Sequence, residues 1–299
     1  MSTRINHNML SLTAQRAVWT SQNDLDSAVQ RLSSGLRINY AWDDPTGLGI
    51  SERLRSSITG MVEAEKNASY NVNMLQTAEG ALAVIDEKLV RMRAIAVQAS
   101  NGILTTLDRQ VANVEFQQLK SEVNRIAQTA NYNGYYLLDG SHAASTESTD
   151  TTQALGYNAV TTAADGDAIK FHIGESNQLG RDYYYLNLGG MTASDLGIDG
   201  LNVADTASSQ AAIDTLIAAI NSKDTERTFI GSMVERLQNT ILNLKIQREN
   251  ATASESQIRD ADFAEEMSNF TRAQILMQTG VSMLSTANGL PNIVAQLVG

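Results

Sequence analysis

The sequence predicts a mainly α-helical protein, in which the N- and C-terminal segments form a long helical bundle or coiled coil around a small β-rich central insert. Three observations predict this class. The 299 residues include only two prolines and 5% aromatic residues, which suits long helices packed by small and aliphatic side chains. Apolar residues recur at steps of three and four near both ends. The middle of the chain is instead rich in Ser, Thr, Gly and Asp.

The C-terminal segment contains a seven-residue apolar repeat sustained over three heptads. This repeat is typical of a helix that meets another helix along a narrow line. Its apolar positions are Phe263, Met267, Phe270, Met277, Val281 and Leu284. A second apolar cluster follows between 290 and 298. We expect either the N-terminal segment or another molecule to cover this surface.

The N-terminal segment repeats the same spacing, at Ile5, Met9, Leu12, Leu25, Val29, Leu32 and Leu36. Residues 1–40 carry four arginines against two aspartates, whereas residues 256–299 carry two arginines against four acids. Matched heptads and opposite charge make the two ends predicted partners of each other. The alternative is that both ends simply cap one long bundle.

Local signals place the helices between the two ends. Asp44 followed by Pro45 predicts the start of a very long helix, because the carboxylate can accept the first free amides. Asn101–Gly102 predicts that this helix ends in a left-handed residue. Thr105, with Asp108 three residues later, predicts the capped start of a shorter helix.

The central part of the chain predicts short strands and then further helices. Asn133–Gly134 predicts a tight turn. Two strands are predicted over 168–173 and 183–188, within an acidic segment that we expect at the surface. A helix is predicted around 211–220, and a longer one follows from about Ile230, loosened by the small polar residues that begin at position 251.

These boundaries predict three parts. Residues 1–42 and 256–299 form a terminal coiled-coil domain, residues 43–140 and 206–255 form a helical core domain, and residues 141–205 form the short surface insert. The insert holds nine acidic residues against two basic ones. Negative charge is therefore gathered on the part expected to face water.

The residue types argue against several function classes. The three histidines, His7, His142 and His172, have no HExxH spacing, and the chain has no cysteine and no glycine-rich phosphate loop. We therefore expect no catalytic residue, no cofactor and no metal, and no enzyme. A net charge of −11 argues against nucleic acid as a partner. Without eighteen consecutive apolar residues, no membrane insertion is expected, and the N-terminus lacks the pattern of a cleavable signal peptide.

Two runs of sequence resemble bacterial flagellin. They are RLSSGLRINYAWDDPTGLGI, which spans 31–50, and ASESQIRDADFAEEMSNFTRAQILMQTGVSMLSTAN, which spans 253–288. The segments Gln76–Gly80 and Tyr132–Gly140 add to the match, which covers about the first 140 and the last 75 residues. The centre departs from the family, as it does among flagellins.

The resemblance implies a homopolymer, namely a structural subunit that assembles into the flagellar filament for motility. It also implies export unfolded through the flagellar type III apparatus, an extracellular location, and contact with an export chaperone, the filament cap and the hook-associated junction proteins. Two alternatives stay open at this point. One is the hook–filament junction protein of the same family, and the other is a coiled-coil adaptor that does not polymerise.

One stretch, from Leu89 to Gln98, resembles the part of flagellin that is recognised by the Toll-like receptor that senses flagellin. Matched residue by residue, the resemblance assigns recognition to Leu89, Arg91, Ile95 and Glu115. The alternative is that the apolar members of this stretch belong to the bundle core and that Arg91 contacts another subunit.

Overall fold

The computed structural model describes residues 8–142 and 168–298, with the backbone alone from residue 290. Within these ranges it contains five helices and four short strands. In chain order they are α1 (Met9–Ser34), α2 (Pro45–Ala99), α3 (Thr106–Thr129), β1 (Asn131–Tyr132), β2 (Tyr135–Tyr136), β3 (Ile169–His172), β4 (Tyr183–Leu186), α4 (Thr206–Arg259) and α5 (Phe263–Val298). The predicted class, mainly helical with a small β-rich centre, is confirmed.

The chain divides into two compact units. Unit 1 comprises Met1–Ile58 and Glu249–Gly299, and unit 2 comprises Thr59–Arg248. The three-part division expected from the sequence stays a prediction.

Two predicted helix starts are confirmed by their hydrogen bonds. Asp44 Oδ1 accepts from the amides of Thr46 and Gly47 at 3.1 and 2.8 Å, so it satisfies two of the amides that the first turn of α2 leaves free. At the start of α3, Thr105 and Asp108 form a reciprocal capping box.

The predicted left-handed end of α2 is wrong. Gly102 is absent from the residues with positive φ in the described ranges. The guanidinium of Arg109 instead donates to the carbonyls of Ala99 and Asn101, each at 3.0 Å. The Arg109 side chain, from the next helix, therefore satisfies carbonyls that the hydrogen bonds of a glycine cap would otherwise satisfy.

The predicted division of the second helical region is also wrong. α4 runs without interruption from Thr206 to Arg259. Small polar residues such as Ser254 do not break it, and the Ser254 hydroxyl donates to the Asn250 carbonyl one turn earlier at 2.8 Å. Ser and Thr are tolerated in helices when they bond in this way.

The core of unit 2 brings α2, α3 and α4 together. Fully buried side chains from all three helices meet there, among them Leu75, Leu82, Ile85, Leu89, Met92, Phe116, Val123, Leu216, Met233 and Leu237. A buried ammonium also joins two of these helices, since Lys223 Nζ on α4 lies 2.6 Å from Asp86 Oδ1 on α2. Burial lowers the pKa of Lys223, but hydrogen bonds to Asp224 and Asp86 outweigh that effect and raise it.

Residues 168–205, which their composition predicts to be a surface insert, contribute buried side chains to unit 2. The two predicted strands are present, and β3 and β4 pair antiparallel with Phe171 opposite Tyr184. Their inward side chains belong to the core of unit 2, where Phe171, Leu186 and Leu188 are completely buried. Residues 143–167 of the predicted insert lie outside the described residues.

The predicted turn at Asn133–Gly134 is confirmed. Both residues have positive φ, 51° and 87°, and they join β1 to β2 in an antiparallel hairpin. A two-residue turn of this kind requires positive φ at both positions, which Asn and Gly adopt most easily.

Candidate interaction surface

α1 and α5 form an antiparallel pair within unit 1. Asn8 Nδ2 donates to the Ala287 carbonyl at 2.7 Å, near the start of α1 and the end of α5. Near the other end of the pair, Arg31 Nη1 lies 3.0 Å from Glu266 Oε1. The predicted pairing of the two chain ends is therefore present in a single chain.

Small side chains form the line of contact between the two helices, which we call the α1–α5 seam. Its apolar residues below 10% exposure are Ala28, Ala273 and Ala287. Gly280 marks the closest approach, because a Cβ added there would lie 2.8 Å from Val18 Cγ2. Glycine and alanine let the two helix backbones come close together, but such small side chains bury little apolar area.

The predicted apolar positions divide into two sets. The first set is half-buried and comprises Leu25, Leu32, Leu36, Phe270, Met277 and Leu284. Leu36 lies just after α1, and the others lie beside the seam. Exposed to solvent are Met9, Leu12, Val29, Phe263, Met267 and Val281. Ile5 lies outside the described residues. The sequence argument missed the small seam residues, although Ala14, Val18, Ser21, Leu25 and Ala28 also follow steps of four and three.

One side of the pair carries an apolar groove of about 540 Å³. Exposed Leu10 on α1 and exposed Leu276 and Met283 on α5 line it, together with smaller residues such as Ala17 and Gly280. The groove lies open to solvent within unit 1.

The other side of the pair is apolar as well. Leu12 and Trp19 are 52% and 66% exposed, and they lie two and nine residues after Leu10. Because each residue of an α-helix turns by about 100°, both side chains point away from the groove that Leu10 lines. On α5, Met267 lies nine residues before Leu276 and Val281 lies five residues after it, which places them about 180° and about 140° from Leu276 around the helix. The pair therefore presents large apolar side chains to water on both sides of its seam.

Hydrogen bonds fix the chain where α1 ends and α5 begins. Gly35, with φ of 72°, ends α1 and accepts from the Ala261 amide at 3.0 Å. Arg37 donates through its amide to the Arg259 carbonyl at 2.7 Å. Glu52 lies 2.8 Å from Arg259 Nη1, and that hydrogen bond lowers the pKa of the Glu52 carboxyl.

The four residues assigned to receptor recognition are not equally accessible. Leu89 and Ile95 are buried in the core of unit 2, at 0% and 2% exposure, as the alternative of a bundle-core position predicts, and their recognition by a receptor stays a prediction. Arg91 and Glu115 are exposed and form an ion pair with 2.6 Å between Nη2 and Oε1. This pair joins α2 to α3.

Two of the three histidines lie in the described residues. His172 stacks on Tyr183, with ring centroids 5.9 Å apart, and the His142 ring lies 6.1 Å from that of Tyr135. His7 lies outside the described residues. In the part of the chain that the structure describes, no group of three or more His, Asp or Glu side chains could hold a metal ion, and no helix there is long and apolar enough to cross a membrane.

Comparison with known proteins gives a consistent result. The family model described as the bacterial flagellin N-terminal helical region matches residues 5–143, and that of the C-terminal helical region matches residues 211–298. The chain is 38% identical over 301 residues to the flagellar filament 33 kDa core protein of Treponema phagedenis, covering 98% of this chain and 99% of that protein. It is 37% identical over 295 residues to the flagellin of Halalkalibacterium halodurans, with 98% and 99% coverage.

A solved structure described as that of a flagellar hook-associated protein from Vibrio parahaemolyticus is also similar. It covers 73% of this chain and 100% of that chain, with a TM-score of 0.54 and 17% sequence identity. At this identity the likeness supports the helical fold alone.

Proposed function

The chain belongs to the bacterial flagellin family, and from that membership we infer that it is a structural subunit that self-assembles into the flagellar filament for motility. The filament is extracellular, and the subunit's principal partner is a further copy of itself.

The observation that best supports this function is the apolar surface on both sides of the α1–α5 pair. Large apolar side chains exposed on both sides of a helix pair mark a surface that a partner covers. Within one chain, few apolar side chains of the seam are buried. Neighbouring copies packed on both sides would remove the exposed residues from water and complete the core that a single chain lacks.

The residues of this interface are proposed as a set. Those predicted from the sequence, from Ile5 to Leu36 and from Phe263 to Leu284, supply the large apolar side chains. Leu10, Trp19, Leu276 and Met283 extend the set, because they are exposed on the same two helices. In the filament, the terminal domain of residues 1–42 and 256–299 would line the inner tube.

Finer points of partnership follow from the family resemblance. We propose that the chain is exported unfolded through the flagellar type III apparatus, and that it contacts an export chaperone, the filament cap and the hook-associated junction proteins. We also propose a weaker form of recognition by the flagellin-sensing Toll-like receptor. Its accessible contacts would be Arg91 and Glu115, because their side chains are exposed.

The two alternatives make different predictions about assembly. A hook–filament junction protein or a coiled-coil adaptor would stay monomeric in the presence of filament seeds, whereas a filament subunit elongates them. The test is seeded growth of purified monomer, followed by electron microscopy and sedimentation. Long fibres that consume the monomer are expected. Monomer that stays soluble under filament-forming conditions, both without seeds and with seeds of a related flagellin, would contradict the proposed function.

A truncated chain that ends at residue 289 provides a control. It loses the apolar cluster predicted between 290 and 298 but keeps unit 2 intact, so its circular dichroism melt should show the same main transition. We expect it to fail to elongate the seeds. Normal growth from the truncated chain would show that the end of α5 is not part of the interface.

A further inference from the structure

The turn between α1 and α2 carries an exposed aromatic pair that lies outside the interface described above. The rings of Tyr40 and Trp42 stack, with centroids 4.3 Å apart and 21° between their planes. Trp42 is 75% exposed and Tyr40 is 46% exposed. Tryptophan and tyrosine dominate the energetics of protein interfaces, because a rigid ring buries a large area at little cost in conformational entropy.

Hydrogen bonds hold this turn in one conformation. Asp43 Oδ2 accepts from the amides of Asn39 and Tyr40 at 3.0 and 2.9 Å, and the Asp43 amide donates to the Tyr40 carbonyl at 3.1 Å. Immediately before the turn, Ile38 is 1% exposed and fixes the chain to the body of unit 1. The two rings are therefore held in place before any partner arrives.

The turn is also fastened to the junction of α4 and α5. Arg37 donates through its amide to the Arg259 carbonyl, and through Nη2 to the Ile258 carbonyl at 2.6 Å. Leu36 forms an isolated antiparallel bridge with Asp260. A surface that is already ordered loses little entropy on binding, so more of its contact energy appears as affinity.

The polar groups around the rings are engaged inside the chain. Asp43 accepts from the turn's own amides, Asp44 caps α2, and Arg37 bonds to backbone carbonyls. What the turn offers outward is ring surface. An apolar partner fits this ring surface, and unit 1 itself exposes apolar surface on α5, for example at Phe263 and Ile275.

We propose that the Tyr40–Trp42 pair is a contact with a second copy of this chain in the assembled filament. The contact extends the interface of the α1–α5 pair into the turn that follows α1. This inference rests on the proposed filament function, because only assembly brings a second copy to this face. It assigns a role to two residues that the heptad argument did not include.

Intrinsic fluorescence can test the contact directly, because the chain has two tryptophans. The Trp19→Phe variant leaves Trp42 as the sole reporter, and the Trp42→Phe variant leaves Trp19. Emission and iodide quenching are measured for monomer and for seeded filaments of each variant. On assembly we expect the Trp42 emission to move to shorter wavelength and its quenching constant to fall several-fold.

A second measurement uses the critical concentration for seeded growth. Trp42→Ala should raise it by about tenfold, a factor that corresponds to about 1.4 kcal/mol, whereas Trp42→Phe keeps a ring and should stay near wild type. The monomer melt of both variants should match wild type, since the rings are exposed. If Trp19→Phe itself blocks growth, the critical concentrations of the two Trp42 variants still decide whether the contact forms.

The outcomes separate the contact from the function on which it rests. Filaments that grow while Trp42 remains as accessible to iodide as in the monomer overturn the contact and leave the filament function standing. An unchanged critical concentration for Trp42→Ala does the same, and directs the search toward a different partner for the rings. Failure of the wild-type monomer to elongate seeds overturns both.

Discussion

Arg31 Nη1 and Glu266 Oε1 lie 3.0 Å apart, although 235 residues separate them in the chain. Glu266 keeps only 9% of its side-chain exposure, whereas Arg31 keeps 36%. The pair ties the last turn of α1 to the first turn of α5, where a carboxylate is also favoured by the helix dipole. An ion pair placed here stabilises the alignment of the two helices along the seam.

Arg31→Gln should weaken the α1–α5 pair. The variant leaves the Glu266 carboxylate nearly buried without its cation, which should cost about 1–3 kcal/mol. The measurement is amide hydrogen exchange of residues 9–34 and 263–289 in dilute monomer, in which protection should fall. Arg16→Gln, at an exposed position of α1, is the control and should leave exchange unchanged. Equal protection in Arg31→Gln and wild type would show that the ion pair does not align the helices.

Gly280→Ala should destabilise the same pair, although alanine usually stabilises a helix interior. The added Cβ would lie 2.8 Å from Val18 Cγ2, so the helices must separate or Val18 must leave its preferred rotamer. Gly49→Ala in α2 is a matched control, because a Cβ there meets no heavy atom within 4 Å. The control should gain about 0.5–1 kcal/mol.

The readout for both glycine variants is hydrogen exchange together with seeded growth. Gly280→Ala should lose protection across the seam and raise the critical concentration, and the double variant Val18→Ala/Gly280→Ala should recover both. A gain in stability for Gly280→Ala equal to that of Gly49→Ala would refute the close approach.

Glu226 gives unit 2 a dependence on pH. Burial raises the pKa of its carboxyl, although the Gly189 amide, which donates to Oε1 at 3.0 Å, acts in the opposite direction. The folded state therefore binds this proton more tightly than the unfolded state. Its contribution to stability is lost as pH rises from the ordinary glutamate range through the raised pKa.

Glu226→Gln should remove that loss, because the amide oxygen can still accept from Gly189 and carries no charge. We expect the melting temperature of the variant to exceed that of wild type at pH 7, and the two to converge near about pH 4, where the wild-type carboxyl is protonated. Glu235→Gln, exposed on the same helix, is the control and should show no such convergence. A variant that is less stable than wild type at pH 7 would contradict the argument.

The heptad repeats predicted the terminal helices but not which of their faces would meet. The repeats predict contact at large apolar residues such as Met267 and Val281, because burying them gains the most free energy. The structure instead places Ala273 and Gly280, one position earlier in each heptad, on the α1–α5 seam. The heptad pattern alone does not distinguish the row of residues that forms the seam within one chain from the adjacent row of apolar residues that stays exposed in a single chain.

Composition misled the prediction for residues 168–205. Their excess of acids, Ser and Gly predicted a surface segment, yet Tyr184, Leu186 and Leu188 alternate with polar or half-exposed residues and fill the core of unit 2. That period of two was visible in the sequence and marks a sheet with one buried face. The polar residues hold the loops and the outer face, so average composition concealed the inward side chains.

The exposed groove residue Leu276 separates the folding of one chain from its assembly. Leu276 is 53% exposed and lines the groove on α5. Leu276→Ser should therefore leave the melt of the monomer unchanged, since the side chain contributes little to the single chain. In the filament the same side chain should be enclosed, and each copy would lose its buried area, which is worth about 1.5–3 kcal/mol. Because about 1.4 kcal/mol corresponds to a factor of ten, we expect the critical concentration for seeded growth to rise by at least that factor.

Gln278→Ser, exposed on the same helix, is the matched control and should grow as wild type. A lowered monomer melt with normal growth would mean that Leu276 stabilises the single chain, and the groove would then lose its place in the subunit interface.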